Sequence, residues 1–174
     1  MDILRQAPML LGATPGRWRA LVDATDAELM GREPWPGEWS ALGCLLHLLD
    51  TEEHVFPVRI RAFLAGLDFP GFDPDAQGSL IGERAGGSEL VEQFARLREQ
   101  SVGLLWSLSD EDLARTARHA ELGRVTLEEL LNQWVAHDLM HTVQGERALM
   151  QPFILASGPW RAYFADHDVG AARG

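Results

Sequence analysis

The sequence predicts an all-α protein, built as a four-helix bundle. Four segments carry apolar residues at the three-to-four spacing of a buried helix face. Start or stop signals bound each of them. No stretch alternates apolar and polar residues well enough to read as a β-strand. With 174 residues, 46% of them apolar and 24% charged, the chain is expected to be one globular domain over 1–174.

The first helix is expected to open at Thr14-Pro15, with Thr14 as N-cap and Pro15 in the first turn. Trp18, Leu21, Val22 and Leu29 lie on its apolar face, and Pro34-Trp35-Pro36-Gly37 closes it. Ser40 caps the second helix, which reads on to about Leu64 ahead of Gly66, with a kink near Glu53 imposed by Pro57. From Leu67 to Gly87 the pattern dissolves into a long connection, a length that often lies over a site or forms a crossover. The third helix starts at Ser88 and carries Leu90, Val91, Phe94, Leu97 and Leu105 toward Trp106. Ser109 to Leu113 looks like the start of a short extra helix, and His119 to Arg124 reads as a loop containing Gly123. Thr126 and Glu129 have capping-box spacing and open the fourth helix, which is expected to run to about Met150 and stop before Pro152. Gly158 to Phe164 suggests a short aromatic C-terminal element. Trp35, Trp39, Trp106, Trp134 and Trp160 are read by default as core or cap residues.

Charge narrows the partners. The 26 acidic residues outnumber the 15 basic ones, giving a net charge of −11, and every basic residue is arginine. Such a chain repels phosphate backbones, so nucleic acid is excluded as a partner. Without lysine there is no Schiff-base chemistry and no lysine general base. The single cysteine, Cys44, forms no internal disulfide. The first residues show no signal peptide, and no apolar run approaches about 20 residues, so a membrane is not expected either. A cytoplasmic protein is the simple expectation.

Histidine carries the chemistry. His137 and His141 stand one helical turn apart and share a face with Leu130, Trp134 and Gln144. His47 sits among leucines on the second helix. Two histidines at this spacing are also what a half-wet helix face would show, and a lone core histidine is usually hydrogen-bonded rather than ligating. Three of them expected inside one bundle suggest a three-nitrogen site for a divalent cation with one position left open. Neutral imidazole is the ligand, so loss of the ion is expected as pH falls below about 6. His54 is a candidate fourth ligand or a group lining the open position; Pro57 leaves its direction open. Asp50, His54 and Gln144 are candidate catalytic groups, with a solvated helix charge as the alternative for Asp50. Arg59 and Arg61 are candidates for binding an acidic cosubstrate or substrate, against a solvated helix face. Asp138 should point off the metal face. Cys44 reads as a small buried apolar residue or, alternatively, a soft ligand. His119 and His167 read as surface groups, though a folded-back tail would bring His167 closer.

These residues also form a pattern. Trp39-Ser40 opens a helix, His47-Leu48-Leu49-Asp50-Thr51-Glu52 follows, and a late helix holds Trp134-Val135-Ala136-His137-Asp138-Leu139-Met140-His141-Thr142-Val143-Gln144. The pattern resembles the DinB/YfiT-like superfamily, from Trp18 to about Tyr163. The resemblance implies an up-down-down-up bundle, often a homodimer, with zinc or nickel held by His47, His137 and His141. Understood members are S-transferases using bacillithiol or mycothiol and a mycothiol-dependent maleylpyruvate isomerase; others are labelled metal-dependent hydrolases without a known substrate. The implied function is activation of a low-molecular-weight thiol cosubstrate, or of water, for transfer to a small electrophile. The alternative is a non-catalytic bundle that binds a metal or a small molecule, a stress response being one such role.

Overall fold

A computed structural model describes residues 2–69 and 86–170. The four bundle helices are α1 (Ile3–Ala24), α3 (Ala41–His54), α5 (Gly87–Trp106) and α7 (Leu127–Ala156). Shorter helices α2 (Ala27–Gly31), α4 (Phe56–Ala65) and α6 (Asp110–Leu113) join them. α1 packs on α5 and α7, and α3 packs on the same two, so α1 and α3 stand at opposite corners. The expected four-helix bundle is therefore present. No helix among the described residues is long and apolar enough to cross a membrane.

Several boundaries follow the capping chemistry. Ser40 Oγ accepts from Gly43 N–H at 3.1 Å and starts α3. Thr126 and Glu129 form a reciprocal capping box at the start of α7. Ser109 and Asp112 do the same for α6. Gly66, at φ 68°, takes the left-handed conformation that ends α4.

The prolines correct three other boundaries. α1 starts at Ile3, capped by Asp2, and runs straight through Pro8 and Pro15. Pro15 has no N–H to give the Leu11 carbonyl. That carbonyl instead accepts from Arg98 Nη1 at 2.7 Å, so the helix loses no hydrogen bond there. Thr14, expected as the cap, is buried mid-helix and donates its hydroxyl to Leu10 O. Pro57 does more than kink the second helix: the chain breaks at Val55, and Pro57 sits in the first turn of the separate helix α4. α7 continues past Pro152 to Ala156. Its end is fastened by Gln151, which donates to His167 O at 2.9 Å and accepts from Val169 N–H at 3.0 Å. Leu29 belongs to α2 rather than α1, and Gly86 rather than Ser88 occupies the cap of α5.

One element is new. Thr116–His119 (β1) and Gly123–Thr126 (β2) pair as an antiparallel hairpin where a loop was expected. Strands of four residues are too short to display an alternation. Gly123, at φ 78°, supplies the left-handed turn residue the tight connection needs. Phe69 bridges onto His119, joining the end of the α4 segment to the hairpin. Most of the long connection expected from Leu67 to Gly87 lies outside the described residues.

Two apolar clusters fill the bundle. One contains Leu11, Phe56, Ile60, Leu127 and Trp134; the other contains Trp18, Leu45, Leu48, Phe94 and Leu149. Trp35, Trp106 and Trp160 belong to neither and are 42%, 57% and 65% exposed, contrary to their default reading. Arg98 joins the clusters, with its guanidinium over Phe94 (4.7 Å) and Trp134 (5.3 Å). It is 1% exposed and donates to Glu52 at 2.9 Å and Asp138 at 2.7 Å. Removing this cation would leave two buried carboxylates uncompensated. Arg98→Leu is expected to cost about 3–5 kcal/mol, read as a lowered urea midpoint.

A second constraint lies where α1 crosses α7. A Cβ on Gly145 would stand 2.4 Å from Trp18 Cη2. The Trp18 ring cannot retreat easily, being fully buried and bonded through Nε1 to Thr142 Oγ1 at 3.2 Å. Gly145→Ala is expected to destabilise by about 1–3 kcal/mol through overpacking. An unchanged melting temperature would show that the helices do not approach this closely.

Candidate metal centre

α3 and α7 lie side by side, and this brings His47 against His137 and His141. One ligand-type atom from each of the three histidines lies within 4.8 Å of the others. His47 Nε2 and His137 Nε2 are 2.9 Å apart. Ring centroids are separated by 4.4 Å (His47 to His141), 4.5 Å (His137 to His141) and 5.0 Å (His47 to His137). Apolar rings surround the cluster. Trp39 stacks on His141 and tilts over His47, while the ring of Phe56 meets His137 edge-on and stacks on Trp134.

A local bond orients one of the rings, and a carboxylate stands beside a second. Gln144 Oε1 accepts from His141 Nδ1 at 2.9 Å, one turn along α7. This places the proton on Nδ1 and leaves the Nε2 lone pair available. His137 Nδ1 faces Asp138 Oδ1 at 4.0 Å, and both atoms are buried without a hydrogen bond. The Asp138 carboxyl is held below its ordinary range: burial alone would raise it, but Arg98 and His137 outweigh burial. Burial, together with repulsion from His137 and His47, lowers the His141 pKa from 6.5 to about 4.

This donor set fits a divalent cation. When the rings are neutral, each offers a single lone pair, and the three ligand atoms lie close enough together to share one ion. Repulsion between the rings favours the unprotonated state that metal binding needs. The Glu52–Arg98–Asp138 cluster behind His137 carries one more carboxylate than cation, which suits a positive charge next to it.

A cavity of about 720 Å³ opens from the cluster, lined by the three histidines with Trp39, Phe56, Arg59, Leu130 and Gln144, among others. Gln144 and Arg59, both candidates from sequence, line it. Arg61 is exposed and does not. Asp50 and His54 also lie outside it. His54 turns to solvent, with 60% of its side chain exposed and its Nε2 3.8 Å from Asp50, because the break at Val55 ends α3 immediately after it. Cys44 is fully buried in the apolar cluster around Trp18, where burial pushes its thiol up to about 12. Asp138 lies off the cavity but is buried rather than solvated, with one oxygen on Arg98 and the other 4.0 Å from His137 Nδ1. His167 is exposed, and its carbonyl accepts from Arg147 and Gln151 on the bundle.

His119 corrects the surface reading. It is 8% exposed and forms part of the cavity wall, because β1 turns Ala117 and His119 inward. The signal in sequence was the alternation Thr116-Ala117-Arg118-His119 ahead of Gly123, which is too brief to separate from a loop.

The low pKa of His141 has a thermodynamic consequence. The folded chain takes up this proton only near pH 4, and the unfolded chain takes it up near 6.5. Unfolded protein binds more protons between these values, so acid favours unfolding there. The urea midpoint of metal-free protein should fall as pH drops from 6.5 to 4, and less steeply in His141→Gln. Equal slopes in the two proteins would exclude this burial effect. Proton competition for the His141 nitrogen likewise moves below the value of about 6 expected for free imidazole.

Comparison with known proteins agrees with this architecture. Residues 10–144 match the DinB superfamily. One solved structure, YfiT from Bacillus subtilis, is described as a probable metal-dependent hydrolase with an unusual four-helix bundle topology. It superposes with a TM-score of 0.76 at 19% identity, over 86% of this chain and 87% of that one. No curated protein matches the chain. With the family match spanning most of its length, the chain belongs to the DinB superfamily.

Proposed function

We propose that the protein is a metal-dependent enzyme that activates water or a low-molecular-weight thiol toward a small electrophile. The observation that carries this reading is the convergence of His47, His137 and His141 at the head of a largely apolar cavity. These three residues would hold the ion; imidazole nitrogen suits zinc, nickel, copper and ferrous iron, and the family resemblance favours zinc or nickel. A divalent cation held there supplies Lewis acidity, lowering the pKa of a water or thiol at its remaining position.

The chain's own residues do the rest. Gln144 fixes the tautomer and direction of His141 through its 2.9 Å bond. Asp138, itself held by Arg98, backs His137 from the opposite side of the ring. Trp39 and Phe56 wall the cluster and limit the water around it, which strengthens electrostatic effects inside. The cavity volume suits a small molecule. The likeness to a described hydrolase supports the fold, and the sequence resemblance to thiol-dependent transferases supports thiol over water.

Purified without chelator, the protein should carry about one zinc or nickel ion per chain by elemental analysis, and His47→Ala should carry almost none. Metal-loaded protein should conjugate or hydrolyse at least one electrophile in a panel with bacillithiol, mycothiol, glutathione or coenzyme A. Stoichiometric metal with no turnover across the panel would favour the non-catalytic binding alternative. No metal at all would end the enzyme reading and leave only a bundle that binds a small molecule.

A further inference from the structure

Arg59 and His119 face each other in the cavity wall with an unusual hydrogen-bond arithmetic. His119 Nδ1 accepts from two backbone donors, Glu121 N–H at 3.2 Å and Leu122 N–H at 3.4 Å. An Nδ1 that accepts holds no proton, so the ring proton sits on Nε2. That Nε2 lies 3.5 Å from Arg59 Nη2, whose guanidinium can only donate. Two donors therefore converge, with no acceptor among the described residues between them. His119 is more than nine-tenths buried, so it cannot turn to water for relief.

The surroundings hold both groups in place. The Arg59 guanidinium lies over the Phe69 ring at 5.1 Å, and Phe69 meets His119 edge-on at 5.9 Å. No carboxylate among the described residues pairs with Arg59 within salt-bridge distance; Glu121 acts on it only from further away. Glu129 also lines the cavity but is committed to the Thr126 N–H at 2.7 Å. In a chain of net charge −11, a half-buried arginine facing a cavity with no acidic partner among the described residues is out of keeping with the rest of the surface.

We infer that Arg59 and His119 form an anion subsite that takes the carboxylate of a small, partly apolar ligand. One carboxylate oxygen can accept from both donors, and the guanidinium fork can engage the second. The site lies within reach of the reacting centre. Arg59 is three residues beyond Phe56 on α4, about 4.5 Å along the helix, and the Phe56 ring touches His137. A carboxylate bound here leaves the apolar body of the ligand along Phe56 and Leu130, pointing at the histidines. As a statement of substrate class, this rests on the function proposed above; as a binding site, it does not need the metal.

The test uses metal-free protein titrated with benzoate and with benzamide, its neutral isostere, by calorimetry. Benzoate should bind about tenfold tighter or more. Arg59→Gln should abolish that preference, and His119→Phe should weaken it. Arg59→Lys keeps the charge but loses the fork, so it should retain part of the preference, which guards against a Gln variant that fails to fold. Zinc affinity, measured against a chromophoric chelator, should be the same in Arg59→Gln as in the parent. Equal binding of the two probes, or a preference that survives Arg59→Gln, would overturn the subsite. So would a preference seen only with metal and lost in His47→Ala, since the carboxylate would then sit on the ion. A preference intact in a protein that binds no metal would leave the subsite standing and remove only the proposed enzyme.

Discussion

One buried guanidinium ties the bundle together. Arg98 projects from α5 and reaches the other three bundle helices: the Leu11 carbonyl on α1, Glu52 on α3 and Asp138 on α7. A cation so far from water is tolerable only because two carboxylates and a carbonyl surround it. That requirement is mutual. None of these partners can move without stranding a charge, so the relative heights of four helices are fixed at one point. Apolar packing alone is less exacting, because side chains of similar volume can slide and repack.

The same point sets the candidate centre. Asp138 has two working faces, one oxygen bonded to Arg98 and the other toward His137. The residue that locks α7 to α5 thus also stands behind one of the three convergent rings. Glu52 plays the matching part on α3, one turn and a residue beyond His47. Helix registration and ring convergence are therefore a single structural fact: shifting α3 against α7 by a turn would break the ion cluster and part the histidines together. The hairpin and α4 complete the other wall of the cavity, with Phe69 linking them and Arg59 and His119 facing across it.

Proline shows why helix boundaries read from sequence can fail. By local rules Pro15 and Pro152 both bound helices, since each removes an N–H from the ladder. The rule assumes that the abandoned carbonyl finds no other donor. Arg98, remote in sequence, meets the one vacated by Pro15. Pro57 obeyed the rule: the chain breaks at Val55, and a new helix begins with Pro57 in its first turn. Caps behaved differently. Ser40 and the Thr126–Glu129 pair satisfy their orphan groups within four residues, so nothing distant could overrule them.

The sequence by itself determined the helical class, the caps of α3 and α7, and the shared face of His137 and His141, because these depend on spacings shorter than two helical turns. It also placed His47 and Gln144 on inward faces. Tertiary structure decided the rest: that Asp138 turns to a buried arginine, that His54 and Asp50 fall outside the cavity, and that His119 enters its wall from a hairpin too short to read. Each of those depends on a partner dozens of residues away, and periodicity carries no record of which distant group will supply a charge or a hydrogen bond.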